Sequence, residues 1–434
     1  MKIIIKNGNI IDPLQNLDIK GWILVDNGKI SDFGEGNPKN DFNADEVIDA
    51  ENLVVSPGFI DLHVHLREPG GEGQETIETG SRAAVAGGFT SIVCMPNTTP
   101  PVDHASTVKF INLEANRVNL ANVFPTGTIS RKREGKELAD IGELVQAGVV
   151  AITDDGSPVE DACLMRTALE YSKMFPIPIM EHCEELQLKN EGVMNEGFFS
   201  TKLGLRGIPS ACEDVMIARN VILAKYTGGR LHISHLSTKN GTQIIRDAKN
   251  QGVNVTCEVT PHHLTLTDEA LSDFDTNFKM NPPLRTESDR QALAEGLVDG
   301  TIDAIATDHA PHTITSKNVE FDYAPDGVIG LETALPAVFT KLVKEDKIIS
   351  LSQLIELLST KPAKIINQKN KGSLKKGADA DITLFDIKSQ YSIDSEKFFS
   401  KSRNCPFNGN KVYGKVVQTI VAGKTKFETG KIGN

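Results

Sequence analysis

The sequence predicts an α/β protein whose central part is a (β/α)8 barrel and whose two ends together form a small β-sandwich. Two features support this prediction. Apolar, β-branched runs alternate with helix-like stretches over about 300 residues, from residue 58 onward. Both ends of the chain are typical of short strands separated by glycine-rich turns. A doubly wound sheet is the alternative, but it would carry a glycine-rich dinucleotide-binding turn after its first strand, and this sequence has none there.

The two ends of the chain are predicted to be the halves of one sandwich domain. Residues 1–54 contain short alternating stretches around Asn-Gly, Asp-Asn-Gly and Pro-Gly, which are turn signals. Residues 366–434 have the same character, with "ADITLFDI" and "KVVQTIVAGKTKF" as β-rich runs around glycine. The region between them, residues 55–365, is predicted to be the barrel domain.

Eight stretches of the middle region have the apolar, β-branched character of buried parallel strands. Helix-like stretches lie between them, and several end in glycine, as helices often do. The predicted strands are residues 59–65, 89–96, 121–129, 149–155, 176–183, 230–237, 253–262 and 301–309. Eight strand–helix units are the pattern of a (β/α)8 barrel.

Composition and charge narrow the class of function. The 434 residues are 39% hydrophobic and 24% charged, which is usual for a globular protein. The formal net charge of −12 argues against a nucleic-acid or anionic-membrane surface, because those need excess Lys and Arg. No run approaches the roughly 18 apolar residues of a membrane span, and the first residues lack the features of a signal peptide. Six cysteines without a CxxC pair are typical of reduced thiols, so we expect a cytoplasmic protein.

Residues of metal-ligand type occur where five of the predicted strands end. In an extended strand, residues two apart point to the same face, so the two histidines of "HVH" aim at a common point. The candidates are His63 and His65 at strand 1, Asp154 and Asp155 at strand 4, His182 at strand 5, His235 at strand 6 and Asp308 at strand 8. Barrel enzymes place their chemistry at this end of the strands, so the pattern predicts a metal site.

Taken singly, these residues have ordinary explanations, since a buried histidine is usually a hydrogen-bonded core residue and Asp-Asp-Gly is usually a turn. His232, in mid-strand, is predicted to be structural, and His262 and His263 are assigned no catalytic role. With one of the two adjacent aspartates counted, the candidates give six ligands, more than the three that one catalytic zinc takes, so we expect two ions bridged by a carboxylate. Asp155 is the preferred bridge and Asp154 the alternative. Imidazole with carboxylate suits zinc, and manganese and cobalt stay open.

Longer motifs occur along the same chain: "PGFIDLHVHLREPG", "CMPNTTP", "EVTPHHLTLT", "MNPPLR" and "IATDHAPH". Together they resemble the class I dihydroorotases of the cyclic amidohydrolase superfamily, and "GSLKKGADADITLFD" resembles the tail segment of that superfamily. The resemblance implies a barrel with two zinc ions per chain and a composite β-sandwich. It implies that His63 and His65 bind the more buried ion, that His182 and His235 bind the other, and that Asp308 binds the buried ion and moves protons.

The resemblance also implies a reaction and a set of substrate contacts. The reaction is the reversible cyclisation of N-carbamoyl-L-aspartate to L-dihydroorotate, a step of pyrimidine synthesis, through a metal-bridged hydroxide with Asp308 as general acid and base. Arg67 would bind the substrate carboxylate with its planar guanidinium. The other expected substrate contacts are Asn97, Asn281, His312, Asp326 and Gly327, the last two through their main chain. Residues 310–330 form a long loop of the kind that often closes over a site.

Two other functions stay open at this point. The first is another cyclic amidase, such as a hydantoinase or allantoinase. Many superfamily members bridge their metals with a carboxylated lysine, whereas this chain has "AITDDGSP" at strand 4, and Arg67 favours an acidic substrate. The second is a non-catalytic homologue that serves as a scaffold for aspartate transcarbamoylase, although every candidate ligand is present here. A homodimer and an association with aspartate transcarbamoylase are also open.

Overall fold

The N-terminal strands form one half of a sheet that both chain ends share. The structure, a computed structural model, describes residues 1–38 and 42–433. The N-terminal strands are β1 (Lys2–Asp12), β2 (Leu17–Asp26), β3 (Lys29–Glu35), β4 (Glu46–Asp49) and β5 (Val54–Pro57). β1 pairs antiparallel with β2 and in parallel with β4 and then β5. Asn16, with a φ of 53°, makes the tight turn between β1 and β2, because asparagine tolerates this left-handed conformation.

Strands and helices alternate through the middle of the chain. The strands are β6 (Phe59–Val64), β7 (Phe89–Cys94), β8 (Asn122–Pro125), β9 (Ile179–Glu181), β10 (Met194–Asn195), β11 (Gly207–Ile208), β12 (Leu231–Ile233), β13 (Val255–Val259) and β14 (Ala304–Ile305). The first seven helices are α1 (Ile77–Ala86), α2 (Ala105–Val118), α3 (Ile141–Ala147), α4 (Ala162–Ser172), α5 (Leu186–Lys189), α6 (Phe198–Leu203) and α7 (Ala211–Thr227). The others are α8 (Lys239–Asn250), α9 (Pro261–Thr265), α10 (Glu287–Val298), α11 (Ile314–Lys317), α12 (Ala334–Val338), α13 (Leu351–Ile355) and α14 (Lys361–Ile365).

A closed ring of parallel strands lies at the centre, as predicted. β6, β7 and β8 pair in this order, and β9, β12, β13 and β14 form the other arc. Ile152 joins the arcs by bridging to Gly127 on one side and to Ile179 on the other. Val64 pairs with His309 and closes the ring. The (β/α)8 prediction is therefore confirmed, although the fourth strand, predicted over 149–155, is reduced to the single bridging residue Ile152.

The helices surround the ring and bury one face each. In α8 the buried residues are spaced at one to four positions, which puts them on one helix face. Gly148 and Gly228 end α3 and α7 with φ of 109° and 71°, conformations that favour glycine. Thr76 caps the start of α1 by accepting the backbone N–H of Thr79. None of the helices in the described ranges combines the length and apolar character needed to cross a membrane.

The C-terminal strands complete the sheet that the N-terminal strands begin. The strands of this sheet are β15 (Ile382–Asp386), β18 (Lys415–Val421), β19 (Lys424–Glu428) and β20 (Lys431–Ile432), whereas β16 (Tyr391–Ser392) and β17 (Lys411–Val412) pair with each other in a separate two-stranded sheet. β15 pairs antiparallel with β5 and β18, so the two chain ends form one nine-stranded sheet. Isoleucines from both ends, including Ile3, Ile23 and Ile382, are fully buried in a core of their own. Each such side chain contributes about 1.5–3 kcal/mol of burial free energy, which holds the two ends together.

Candidate metal centre and substrate cavity

The carboxyl ends of the ring strands bring the six predicted ligands to one place. His63 lies in β6, and the other five follow the ends of their strands within a few residues. All six are buried, at 7% exposure or less; they are His63, His65, Asp155, His182, His235 and Asp308. Ligand atoms of His63, His65 and Asp155 lie within 4.8 Å of one another, and so do those of Asp155, His182 and His235. The two groups share Asp155.

The Asp155 carboxylate lies between two pairs of histidines. Its Oδ2 is 3.1 Å from His63 Nε2 and 3.5 Å from His65 Nε2. Its Oδ1 is 3.5 Å from His235 Nε2 and 3.9 Å from His182 Nδ1. Each oxygen therefore faces one pair, which is the arrangement that a carboxylate bridging two cations requires.

The neighbouring Asp154 carboxylate is engaged elsewhere. It accepts the backbone N–H of Ile129 at 2.8 Å and of Ser130 at 3.1 Å, and it also accepts the Ser130 hydroxyl. Consecutive residues in extended backbone point to opposite sides, so only one of the two aspartates can face the histidines. Asp154 holds the loop after β8, and Asp155 faces the cluster.

The buried atoms of the cluster fit a bound cation. His63 Nε2 and Asp155 Oδ1 are buried without a hydrogen-bond partner in the described structure, which is costly unless something else engages them. Burial disfavours a charged His63, but the carboxylates of Asp155 and Asp308 outweigh burial and hold the pKa of His63 well above its usual range. The imidazoles of His63, His65 and His235 in turn overcome the effect of burial on Asp155 and hold the pKa of its carboxyl well below the usual range. The site thus attracts positive charge, and its imidazole and carboxylate ligands suit zinc.

Asp308 lies at the edge of the cluster, against the first histidine pair. Its Oδ1 is 3.1 Å from His65 Nε2 and 3.6 Å from His63 Nε2. Burial would raise the pKa of Asp308, but these imidazoles lower it below the usual value, so the carboxylate is ionised. Asp308, His235 and Arg67 have φ of 47°, 33° and 63°, in the left-handed region. Strained backbone of this kind concentrates at functional sites, where the surrounding structure holds it in place.

A cavity of about 240 Å³ opens above the cluster. Five of the six predicted ligands line it: His65, Asp155, His182, His235 and Asp308. All six predicted substrate contacts line it: Arg67, Asn97, Asn281, His312, Asp326 and Gly327. The cavity is therefore polar, enclosed by side chains from separate loops, and suited to a small ligand.

Arg67 is buried in the cavity wall. Its Nε donates to the Pro311 carbonyl at 3.3 Å, and burial lowers the pKa of its guanidinium to about 10, which leaves it charged at neutral pH. Glu68 and Glu72 are the acidic residues nearest to Arg67 in the sequence, but their carboxylates accept the backbone N–H groups of Ile77 and Gly70, each at 2.7 Å. Arg67 is also one of the residues that line the cavity.

The two predicted asparagines lie against two of the predicted ligand histidines. His65 Nδ1 donates to Asn97 Oδ1 at 2.9 Å, which leaves Nε2 of His65 for the cluster. His182 Nε2 lies 3.4 Å from the Asn281 amide nitrogen, a donor, and 3.5 Å from the Glu184 carboxylate, an acceptor. A proton on Nε2 that faces Glu184 leaves Nδ1 of His182 for the cluster. Asn97 therefore orients one predicted ligand as well as lining the cavity.

The loop of residues 310–330 is held in place by buried polar side chains. Lys317 Nζ donates to the carbonyls of Lys279, Pro325 and Gly327 at 2.9–3.2 Å. Asn404 donates to the Gly327 carbonyl at 3.0 Å from the C-terminal segment. His312 Nε2 donates to the Asp326 carbonyl at 2.8 Å, and burial lowers the pKa of His312 to about 3. These contacts fix the main chain that faces the cavity.

Sequence reasoning missed several residues around the site. Glu258 in β13 accepts His63 Nδ1–H at 2.9 Å, and its two histidine partners lower its pKa to about 2 despite its burial. Lys189 also lines the cavity and pairs with Glu184 at 3.0 Å. Asn404, which holds the Gly327 carbonyl, is far along the chain from the rest of the site. The motif "EVTPH" could have indicated Glu258, since a carboxylate in a buried strand requires a partner. No local sequence pattern indicated that Lys189 or Asn404 belongs to the site.

The fold and the similar proteins together define a class of protein, the amidohydrolases. The structure of L-hydantoinase (dihydropyrimidinase) from Arthrobacter aurescens matches with a TM-score of 0.89 and 26% identity, over 100% of this chain and 97% of that chain. Dihydropyrimidinase from Brevibacillus agri NCHU1002 matches with a TM-score of 0.85 over 100% and 96%, and at 23% identity it supports the fold alone. An amidohydrolase family model matches residues 215–427.

The particular family follows from the more similar sequences. A dihydro-orotase-like family model matches residues 52–241. The dihydroorotase of Geotalea daltonii is 52% identical over 424 residues, which are 98% of this chain and 99% of that protein. The dihydroorotase of Acetivibrio thermocellus is 50% identical over 421 residues, or 97% and 98% of the two chains. This chain belongs to the dihydroorotase family, as its motifs predicted.

Proposed function

We propose that this protein is a dihydroorotase that catalyses the reversible cyclisation of N-carbamoyl-L-aspartate to L-dihydroorotate. The observation that carries the proposal is the position of Asp155, whose two oxygens face two histidine pairs beside a cavity that Arg67 also lines. The cluster supplies hydrolytic chemistry, and the arginine selects an acidic substrate. A hydantoin ring without a carboxylate would leave this buried guanidinium unpaired, which is unfavourable.

We propose that the cluster holds two zinc ions. His63, His65 and Asp308 would hold one ion, His182 and His235 the other, and Asp155 would bridge them, which gives six ligands in all. When bound, the ions lower the pKa of a water towards neutrality and polarise the amide carbonyl of the substrate. The support for this assignment is the residue chemistry and the two unsatisfied atoms described above.

Asp308 is the proposed proton carrier. Its ionised carboxylate lies beside His65 and lines the cavity, so it can accept a proton from the attacking water. In ring opening, a carbon–oxygen bond forms at the ring carbonyl, the carbon–nitrogen bond breaks, and Asp308 delivers the proton to the leaving nitrogen. In ring closure, the ureido nitrogen attacks the carboxylate carbon, Asp308 carries the proton of that nitrogen to the departing oxygen, and one further proton taken up from solvent lets this oxygen leave as water.

The cavity wall orients the substrate. The Arg67 guanidinium would donate two parallel hydrogen bonds to the substrate carboxylate, which fixes direction as well as charge. Asn97 and His312 line the same wall, and the main chain at Asp326 and Gly327 faces the ring. Because these groups come from separate, tightly held loops, the reacting amide is presented to the cluster in one orientation.

The test is a comparison of substrates with metal analysis on the same preparation. Zinc-loaded protein is assayed with dihydroorotate, carbamoylaspartate, hydantoin and dihydrouracil, and Arg67→Gln is compared with Arg82→Gln, whose arginine pairs with Glu78 outside the cavity. We expect the wild type to turn over dihydroorotate. Arg67→Gln should lose at least 100-fold in kcat/KM, which corresponds to the loss of about 3 kcal/mol for a buried charged hydrogen bond. Arg82→Gln should lose no activity.

Two outcomes would overturn the proposal. Turnover of hydantoin without turnover of dihydroorotate would identify a different cyclic amidase. Less than one zinc per chain together with no turnover would support the non-catalytic scaffold.

A homodimer, an association with aspartate transcarbamoylase and a cytoplasmic location are further proposals from the sequence. The six free cysteines, five of them buried, suit a reducing compartment.

A further inference from the structure

Behind His63, on the side away from the cavity, four side chains form a continuous hydrogen-bonded row. His63 Nδ1 is 2.9 Å from Glu258 Oε1, and Glu258 Oε2 is 3.2 Å from His232 Nε2. His232 Nδ1 is in turn 2.8 Å from the Thr256 hydroxyl. His63, Glu258 and His232 are exposed by 1% or less, so no solvent separates them. We call this row the Thr256–His63 relay.

The chemistry of the four groups fixes the direction of every hydrogen bond. A carboxylate accepts and cannot donate, so His63 must carry its proton on Nδ1 and His232 must carry one on Nε2. His232 Nδ1 is then the acceptor of the Thr256 O–H. The remaining ring nitrogen, His63 Nε2, is 3.1 Å from Asp155 Oδ2 and makes no hydrogen bond in the described structure. It faces the cluster, as a ligand nitrogen would.

Strand register builds the relay. β12 and β13 pair in parallel so that His232 lies opposite Thr256. Glu258 lies two residues further along β13 and so shares a face with Thr256. A shift of either strand by one residue would turn these side chains to the opposite face and break the row. The relay is thus part of the barrel wall and cannot move independently of it.

We propose that the Thr256–His63 relay is a positioning device for one half of the metal centre. Glu258, held by His232 and Thr256, fixes the ring orientation and tautomer of His63 so that Nε2 is always available to the cation. A carboxylate behind a ligand histidine also makes the ligand more basic. The proposal rests on the proposed function only in that His63 is a metal ligand. It gives His232, which the sequence indicated as purely structural, a role in the site.

The other histidines lack an equivalent support. His65 donates to the neutral amide of Asn97 at 2.9 Å. His182 Nε2 has Asn281 at 3.4 Å and the Glu184 carboxylate at 3.5 Å, both long contacts. Loss of the relay should therefore weaken the ion held by His63 and leave the ion held by His182 nearly unchanged.

The test measures zinc binding without substrate. Two zinc dissociation constants per chain are determined by chelator competition for the wild type, Glu258→Gln, Thr256→Val and Thr256→Ser. We expect Glu258→Gln to weaken one site by about 10–100-fold and to leave the other within about threefold. Thr256→Val should weaken the same site several-fold, and Thr256→Ser, which keeps the hydroxyl, should restore it. Thr90→Val is the matched control, since the buried Thr90 hydroxyl donates to the Phe59 carbonyl and to no histidine.

A second readout reports the tautomers directly. Long-range proton–nitrogen NMR of histidine-labelled, zinc-loaded protein should show a protonated Nδ1 on His63 and a protonated Nε2 on His232. Equal zinc dissociation constants in Glu258→Gln and the wild type would overturn the proposal, and so would an unprotonated Nε2 on His232. Protein that binds two zinc ions with these tautomers but does not turn over dihydroorotate would overturn the proposed function and leave the relay supported.

Discussion

Replacement of Asn404 by alanine should impair substrate binding although Asn404 does not line the cavity. Its amide donates to the carbonyls of Ala310 and Gly327, each at 3.0 Å, and its Oδ1 accepts the backbone N–H of His312 at 3.2 Å. Asn404 is 3% exposed. One side chain from the C-terminal segment thus holds both ends of the loop that carries His312, Asp326 and Gly327.

The magnitude follows from what remains after the change. The Gly327 carbonyl keeps a second donor, Lys317 Nζ at 3.0 Å, so it is not left unpaired. The Ala310 carbonyl and the His312 N–H lose their side-chain partner. Each unpaired group costs about 1 kcal/mol at the low end, since water can enter the vacated space. The sum of about 2 kcal/mol corresponds to a roughly 30-fold higher KM.

The assay is steady-state kinetics with dihydroorotate, together with zinc analysis and thermal unfolding. We expect Asn404→Ala to raise KM about 30-fold with zinc content unchanged. Asn404→Asp, which keeps the acceptor and loses the donor, should fall in between. Asn408→Ala is the control on the same segment, because Asn408 Oδ1 accepts the Ser395 N–H at 2.9 Å and, among the described residues, makes no side-chain hydrogen bond to the loop of residues 310–330. An unchanged KM in Asn404→Ala with a lowered melting temperature would refute the reasoning and leave Asn404 a purely structural residue.

Three further predictions concern other parts of the molecule. Asp155→Asn should lower the zinc content by at least one ion per chain. Asp154→Asn should keep both zinc ions and lose about 1–3 kcal/mol of stability, because the Asp154 carboxylate holds the loop after β8. Metal analysis showing the reverse would contradict the assignment of Asp155 as the bridge. Burial raises the pKa of Glu332 to about 8, so the folded protein holds this proton more tightly than the unfolded chain, and the stabilisation is complete below about pH 4.5 and lost as the pH rises through about 8. The melting temperature of the wild type should therefore fall between pH 5 and 8 relative to that of Glu332→Gln, and parallel curves would exclude this contribution. Lys189→Met should raise KM for dihydroorotate by up to about fivefold with unchanged zinc content, since a partly exposed cation contributes about 1 kcal/mol or less; a loss of zinc would instead assign Lys189 to support of the metal ligands.

Local patterns in the sequence were sufficient for the barrel and for the types of residue in the site. Strand periodicity placed His63 and His65 on one face, and parallel strands end at one rim, so the ligands from separate strands were expected to meet. The motifs were sufficient for the family. The division of the chain into domains at residues 54 and 365 stays a prediction.

Tertiary structure decided the features that depend on partners remote in the chain. Which of Asp154 and Asp155 faces the histidines depended on which carboxylate the loop after β8 engages, and the Asp154 partner Ser130 is 24 residues away. The relay depends on the register of β12 against β13, and the position of the loop of residues 310–330 depends on Asn404, which is 94 residues from Ala310. Periodicity and turn signals describe neighbours along the chain, whereas hydrogen-bond partners of buried groups are chosen by packing. The sequence therefore determined which chemistry is present, and only the folded arrangement determined which atoms carry it out.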